Sequence, residues 1–336
     1  IVQNHPYRLC EVAGISFHTA DKIAMSMGLS RCSPERVDQA LLFTLSDAEG
    51  KGHLCMEKHH FISTCLQILE TPELTEEMLA NRAARMLADG RLSSYLGFVY
   101  RERTAWLEQH LAEKIFSQTA MKAAFPIVDV YREMATEEAR LKLRLASEQK
   151  AAIETALTQP LTVITGGPGT GKTMIQKAIL DIYQKHNPKA RIVCCAPTGR
   201  AAQRMSEAAG VEAKTIHRLL GYEDGKFAHS EFKPVAAKFV VIDESSMLDT
   251  KLAAAVISAI PNGAHLVLVG DIDQLPSVGA GNVLKDIIAS DRFPVTKLER
   301  IFRQGERSQI VKTAHDILHG IDSTAEFPPC SINFAD

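Results

Sequence analysis

Leu161-Thr-Val-Ile-Thr165, then Gly166-Gly-Pro-Gly-Thr-Gly-Lys-Thr173, then a helix-forming stretch from Met174 together decide how this chain folds. The apolar run reads as a buried strand and the next eight residues as a complete GxxxxGK[ST] loop, so the passage predicts strand, phosphate-binding loop and helix in succession. Glycines at Gly166, Gly169 and Gly171 let the backbone curl until several N–H groups converge on the phosphates of a nucleotide, at the positive end of the following helix. The expected nucleotide contacts are Gly167, Pro168, Gly169, Thr170, Gly171, Lys172 and Thr173. Lys172 supplies a mobile cation for the β- and γ-phosphates, and the Thr173 hydroxyl a ligand for Mg2+. A glycine-rich turn that matches the pattern by accident is the alternative, and the flanking strand and helix weigh against it.

Downstream, Phe239-Val-Val-Ile-Asp-Glu-Ser-Ser-Met247 is an apolar strand that ends in two acids. Asp243 is placed to hold Mg2+, usually through a water, and Glu244 to orient and deprotonate the water that attacks the γ-phosphate. A GTPase usually needs only the first acid and carries an NKxD base-reading motif, which this sequence lacks. The pattern therefore points to ATP hydrolysis.

Further apolar runs follow at Ile192–Ala196, Phe239–Ile242, His265–Val269 and Val295–Leu298, alternating with helical stretches. That alternation predicts an α/β fold with a parallel, doubly wound sheet, and the loop within it a phosphate-loop NTPase. Residues 1–146 show little β patterning, and Glu108–Ser117 and Thr136–Leu145 read as helices. Pro6–Ala24 has the character of helix, tight turn and helix around Gly14–Phe17, which fits either a helix-hairpin-helix phosphate contact or a plain helical hairpin. Gly52–Met56 reads as the short strand of a winged-helix-like module. The expected domains are 1–70, a helix-hairpin-helix-type region; 71–146, a helical, winged-helix-like region and linker; 147–320, the ATPase domain; and 321–336, the start of an insertion or a next domain.

At 336 residues with 46% hydrophobic content, the chain can build two or three domains with sizeable cores. No stretch reaches the roughly 18 apolar residues of a membrane span. The start at Ile1-Val-Gln-Asn-His-Pro6 has no initiator Met and no signal-peptide pattern, and we read the chain as part of a longer polypeptide. Seven cysteines without a CxxC pair fit a reducing, cytoplasmic setting, with Cys194 and Cys195 as small buried hydrophobes. Net charge is −2, with 17 basic against 19 acidic residues in 1–146 and 21 against 21 in the rest, so nucleic acid must be met by local patches. Arg200 with Arg204, Lys214 with Arg218, and Arg101 with Arg103 are the candidates, each of which could equally be a solvated face.

The remaining motifs are Gln149, Ala196-Pro-Thr-Gly-Arg-Ala-Ala202, Thr215-Ile-His-Arg-Leu-Leu220, Gly270-Asp-Ile-Asp-Gln-Leu-Pro-Ser-Val-Gly-Ala-Gly281 and Leu298-Glu-Arg-Ile-Phe-Arg-Gln304. In this order, with the phosphate loop and the Asp243–Glu244 pair, they resemble the motifs of superfamily 1 DNA helicases. The match is to the RecD/TraA branch, and the N-terminal region resembles RecD-like helicases that work without RecB and RecC partners.

The resemblance implies that Gln149 reads adenine, that Gln274 contacts the γ-phosphate, and that Arg303 reaches the same phosphate and joins Lys172 and Glu244 in catalysis. It implies DNA contact through Pro197, Thr198, Gly199, Arg200, Thr215 and His217, although a lone histidine is as readily a packed or capping residue. Implied cofactors are ATP and Mg2+; implied partners are single-stranded DNA or a duplex with a 5′ overhang, with protein partners through the N-terminal region and no membrane. The sequence departs from the family hairpin at Ser16, where a second glycine is usual, and it stops before the motifs of a second RecA-like domain. The expected activity is 5′-to-3′ DNA translocation by the full-length helicase, with slow or no turnover by this chain alone. Two other readings stay open: a DNA- or protein-binding module on an inactive ATPase scaffold, and the helicase region of a conjugative relaxase.

Overall fold

The structure is a computed structural model that describes residues 5–12, 14–120 and 129–300. Arg303, the LERIFRQ segment beyond Arg300 and the region 321–336 lie outside the described residues. The chain divides into two compact units: Ile1–Lys114 with Asp249–Ala254 and Ser277–Asn282, and Ile115–Leu248 with Ala255–Pro276 and Val283–Asp336.

In the first unit a short 3-10 turn, Pro6–Glu11, precedes α1 (Phe17–Ser26), α2 (Pro34–Gly50), β1 (Met56–Glu57), α3 (Lys58–Leu69), α4 (Glu76–Ala88), β2 (Leu92–Tyr95) and β3 (Phe98–Arg101). Caps start the helices. The Ser16, Ser33 and Thr75 hydroxyls accept the N–H groups of Thr19, Arg36 and Met78, and Pro34 opens α2 with its preset φ. Ser16, where a glycine was the family expectation, has φ −77° and serves as the N-cap, so this position asks for a hydroxyl rather than for left-handed freedom. In α2 the apolar spacing Val37, Ala40, Leu41, Leu45, Ala48 makes one buried face, which packs with Phe61, Cys65 and Leu69 of α3 and Leu79 and Met86 of α4.

Arg36 ties this unit together. Its guanidinium grips both Asp21 oxygens (2.8 and 2.9 Å) and also donates to the Thr71 hydroxyl (2.8 Å) and the Leu69 carbonyl (3.1 Å). Tyr7 donates to the same Asp21 at 2.6 Å. The unit is not purely helical. β1, β3 and β2 form an antiparallel sheet in that order; the strand expected at Gly52–Met56 overlaps β1 at Met56 alone, and β2 and β3 were not expected.

α5 (Glu102–Ala120) and α6 (Val130–Leu141) follow. α6 stops four residues short of the predicted Leu145. Lys142 turns left-handed (φ 52°), and the Glu138 carboxylate accepts the Leu145 N–H at 2.8 Å, which draws the chain out of the helix.

The second unit continues as α7 (Ser147–Thr158), β4 (Leu161–Gly166), α8 (Lys172–His186), β5 (Ile192–Ala196), α9 (Gly199–Ala209), β6 (Ala213–Thr215), α10 (Ile216–Leu219), β7 (Tyr222–Glu223), β8 (Lys226–Phe227) and β9 (Phe239–Ile242). α11 (Thr250–Ser258), whose residues up to Ala254 belong to the first unit, β10 (His265–Gly270), α12 (Val283–Ala289) and β11 (Val295–Leu298) complete the chain order. Six strands form one parallel sheet in the order β11-β4-β10-β9-β5-β6. β4, β9 and β10 are buried at every position, which is why they read as largely apolar runs. Tyr183 of α8 packs against Phe239 (4.3 Å between ring centroids) in the core, with Ile153, Leu157 and Ile179 around it. Cys194 and Cys195 are buried in the sheet as predicted, and burial pushes the Cys194 thiol up to about 12.

Candidate nucleotide site and nucleic-acid interface

In a parallel sheet every strand delivers its C-terminal end to the same edge, and ligands bind where loops leave that edge. β4, β10 and β9 are neighbours, so the phosphate loop, the Gly270-Asp271 segment and the Asp243–Glu244 pair emerge side by side. Three motifs that are about 30 to 100 residues apart in sequence become one site.

The loop is a cradle. Gly169 and Gly171 have φ of 84° and 90°, the left-handed region in which side chains are strained, and a Cβ on Gly171 would lie 2.9 Å from the Gln149 amide. Lys172 opens α8 and donates its ammonium to the carbonyls of Gly166 and of Gly167, the latter at 3.0 Å. Burial pushes the Lys172 ammonium below its ordinary 10.5, against the pull of Asp271, Glu244 and Asp243. Thr170 is buried and braces the loop by donating to the Gly167 carbonyl at 2.9 Å, whereas Pro168 and Thr173 are exposed.

Asp243 follows β9 directly. Burial raises its carboxyl above 3.8, while the Glu244 N–H (2.9 Å), the neighbouring Gln176 amide and the Lys172 charge pull it back. Glu244 itself sits at φ 50°, in the left-handed region that a glutamate rarely adopts. Such strain is concentrated where a side chain must be aimed, and here it turns the carboxylate out of the strand line. Burial, then the Asp243 charge, raise the Glu244 carboxyl above its ordinary 4.5.

Gln149 is buried, which rules out a surface polar role. Its Oε1 accepts the Ala146 N–H at 3.0 Å and its Nε2 donates to the Thr170 carbonyl at 3.2 Å. Gln274 is exposed after β10 and donates to Asp271 Oδ2 at 3.0 Å. Sequence reasoning missed Asp271 and Gln176. Asp271 is an acid directly after an apolar strand, the same signal that marked Asp243; Gln176 lies one turn after Thr173 on the buried side of α8.

The predicted DNA-contacting residues meet at the next pair of strands. Ala196 of β5 is the register partner of Thr215 of β6, so Pro197–Arg200 and Thr215–His217 leave the same edge together. Thr198 caps α9 by accepting the Ala201 N–H (3.2 Å), and Thr215 caps α10 by accepting the Arg218 N–H (3.2 Å). Gly199 lies so close to Thr215 that a Cβ there would touch its methyl at 4.0 Å. Arg200 is exposed. His217 packs edge-on against Tyr222 (5.1 Å) and beside Phe227 (5.7 Å) of the β7–β8 hairpin, so its ring has a packing role whatever else it touches.

Thr173 and Asp243 offer a hydroxyl and a carboxylate, the oxygen donors that Mg2+ prefers. Among the described residues no group of three or more His, Cys, Asp or Glu could by itself hold a metal ion. Nor is any described helix long and apolar enough to cross a membrane.

A parallel sheet carrying this loop and acid pair defines a phosphate-loop NTPase domain. Residues 149–280 match the profile of the AAA domain, and residues 1–55 that of the ATP-dependent RecD2 DNA helicase HHH domain. The chain is 32% identical over 330 residues to the ATP-dependent RecD2 DNA helicase of Deinococcus radiodurans, covering 94% of this chain and 44% of that protein. It is 31% identical over 311 residues to the RecBCD enzyme subunit RecD of Mycobacterium tuberculosis, covering 86% of this chain and 50% of that one. A probable conjugal transfer protein TraA of Sinorhizobium fredii is 34% identical over 168 residues, covering 49% of this chain and 14% of that protein. The chain belongs to the RecD-like superfamily 1 helicases with an N-terminal helix-hairpin-helix region. It spans half or less of the length of these relatives.

Proposed function

We propose that this chain forms the ATP-binding, strand-gripping part of a cytoplasmic ATP-dependent DNA helicase that moves 5′ to 3′ on single-stranded DNA. One observation carries the reading: the nucleotide residues end β4, β10 and β9, and the strand-gripping residues end the adjacent β5 and β6. One sheet edge thus serves both ligands, the arrangement a motor needs to convert nucleotide state into grip.

The loop N–H groups of Gly167–Thr173 and the Lys172 ammonium bind the β- and γ-phosphates of ATP. Thr173 and Asp243 would hold Mg2+, which when bound would neutralise phosphate charge. Glu244 orients a water and accepts its proton as the water oxygen bonds to the γ-phosphorus and the bond to ADP breaks. Gln149 lies at the loop to read adenine. Gln274, hydrogen-bonded to Asp271, senses the γ-phosphate, and Arg303 completes the charge stabilisation. Pro197, Thr198, Gly199, Arg200, Thr215 and His217 hold the DNA backbone, a contact that must ignore sequence if the motor is to translocate. We take 147–320 as the motor domain and residues 1–146 as the region that meets protein partners.

The test is equilibrium binding of a fluorescent ATP analogue and of labelled oligo-dT to the chain, with and without Mg2+. Nucleotide binding that needs Mg2+ and is lost in Lys172→Ala, with DNA binding weakened in Arg200→Ala, is expected; unchanged binding in both variants overturns the assignment. Polarity is read separately, from unwinding of 5′- against 3′-overhang duplexes by the longest protein that contains the chain.

A further inference from the structure

We infer that the helical unit carries a second nucleic-acid contact, outside the motor motifs in sequence: a cleft lined by Arg91, Arg101, Arg103 and Trp106 that takes the backbone and a base of single-stranded DNA. The inference rests on the motor reading only for the choice of ligand.

The cleft has a volume of about 550 Å3 and lies where β3 runs into α5. Arg101 ends the strand; Arg103 and Trp106 stand three residues apart on the first turns of the helix, hence on one face of it. Two of the cations are already fixed in place. Asp38 holds Arg91 and also Arg82, and Glu49 holds Arg101 at 2.9 Å, yet the Arg91 and Arg101 side chains remain 37% and 39% exposed. A guanidinium has five N–H donors, so each retains donors for a phosphate at no further cost in side-chain order. Arg103 is exposed and has no carboxylate within ion-pair distance among the described residues. Glu102 also lines the cleft and opposes an anion, so a lone phosphate is a poor ligand and a strand that spreads along several arginines is a better one.

Trp106 distinguishes this cleft from a plain basic patch. It is the only tryptophan in the chain and is 56% exposed, so the indole is open to a ligand at the cleft that the three arginines line. His110 stacks flat against it, 4.8 Å between centroids at 9°, which holds the indole still and leaves more than half of the side chain for a ligand. A fixed aromatic plate beside guanidinium groups is the composition that binds single strands without reading sequence: a base stacks on the plate while phosphates meet the cations.

A single tryptophan makes the cleft its own reporter. Oligo-dT is titrated into the nucleotide-free chain at low salt, with Trp106 emission and the anisotropy of the labelled oligonucleotide followed together. Saturable quenching of Trp106 is expected, with Arg103→Glu weakening that phase by about tenfold or more and Arg103→Lys retaining most of it. Far-UV circular dichroism of each variant separates loss of the site from loss of the fold. If anisotropy reports binding while Trp106 emission stays flat, or if quenching survives Arg103→Glu in a folded variant, this cleft is not a DNA site and the motor reading stands. If the oligonucleotide does not bind at all, both readings fail. Displacement by poly-glutamate at equal charge concentration would make the cleft an acidic-peptide site and overturn the proposal.

Discussion

Gln149 donates its side-chain amide to the Thr170 carbonyl at 3.2 Å while accepting the Ala146 N–H at 3.0 Å, so one buried side chain joins the start of α7 to the phosphate loop. The same amide would lie 2.9 Å from a Cβ on Gly171. Loop shape and helix entry are therefore set by one residue, before any base is read. Gln149→Ala is expected to weaken ATP-analogue binding about tenfold, by losing a neutral hydrogen bond and the loop's brace. Its effect should be larger for ATP than for GTP if the amide also reads adenine; equal losses for both nucleotides would leave it a brace only.

Lys172→Ala removes a partly buried cation that three acids face. Asp271, Asp243 and Glu244 would then stand without it, repelling a triphosphate as well as each other. Binding of the fluorescent ATP analogue should be lost by at least about a hundredfold, since a charge-assisted contact to phosphate is worth roughly 1.5–3 kcal/mol and the uncovered acids add to it. Glu244→Gln should bind like the parent and lose turnover.

The raised Glu244 carboxyl sets a pH signature. A general base works only when deprotonated, so kcat/KM falls as pH drops through the folded-state value, which burial and Asp243 place above 4.5. The acid limb of the pH–rate profile should thus lie at higher pH than for an ordinary glutamate. Asp243→Asn removes the neighbouring charge and should shift any residual limb downward. A limb at the ordinary carboxylate position would assign the proton transfer elsewhere.

Gly166 closes β4, and an added Cβ would meet the Leu298 carbonyl at 2.5 Å. The neighbour is backbone of the paired strand β11, where Leu298 is the register partner of Gly166, and it cannot swing away. Gly166→Ala should cost about 1–3 kcal/mol of motor-unit stability through overpacking, read as a lower denaturant midpoint.

The motor was the legible part of the sequence because its inner strands are buried on both faces. Phe239-Val-Val-Ile242 and Ile192–Ala196 form as strands with the bounds the apolar runs predict. β6, by contrast, is Ala213-Lys-Thr215, an edge strand of three partly buried residues with no apolar run to betray it. The β2–β3 hairpin was hidden for a similar reason. Its turn residues Leu96 and Gly97 both have positive φ (48° and 85°), and its tip exposes Tyr95, Leu96 and Phe98, the reverse of the polar-turn pattern by which hairpins are recognised. In the site, motifs named the side chains but not their support. That Glu244 is aimed by a left-handed backbone, or that Gln149 is a buried brace, depends on φ angles and on contacts across about 20 residues that no local pattern encodes.

Asp21 and Arg36 give the helical unit its own acid sensitivity. Burial pushes the Asp21 carboxyl up, but the hydrogen bonds from Arg36 and Tyr7 and the guanidinium charge outweigh it and hold the group below its ordinary 3.8. A depressed carboxyl stabilises the fold fully above the unfolded value and loses that contribution as pH falls through the folded one. Unfolding of this unit, followed through Trp106, should therefore become easier below about pH 4. In Asp21→Asn that part of the pH dependence should vanish, leaving a protein less stable near neutrality. Arg36→Ala leaves a partly buried carboxylate without its cation and the Leu69 carbonyl without that donor, a loss of up to about 3 kcal/mol. Arg36→Lys should not restore it, because one ammonium cannot grip both Asp21 oxygens and reach Thr71 as well. Full recovery by lysine would mean that charge alone, and not the forked geometry, holds the unit together.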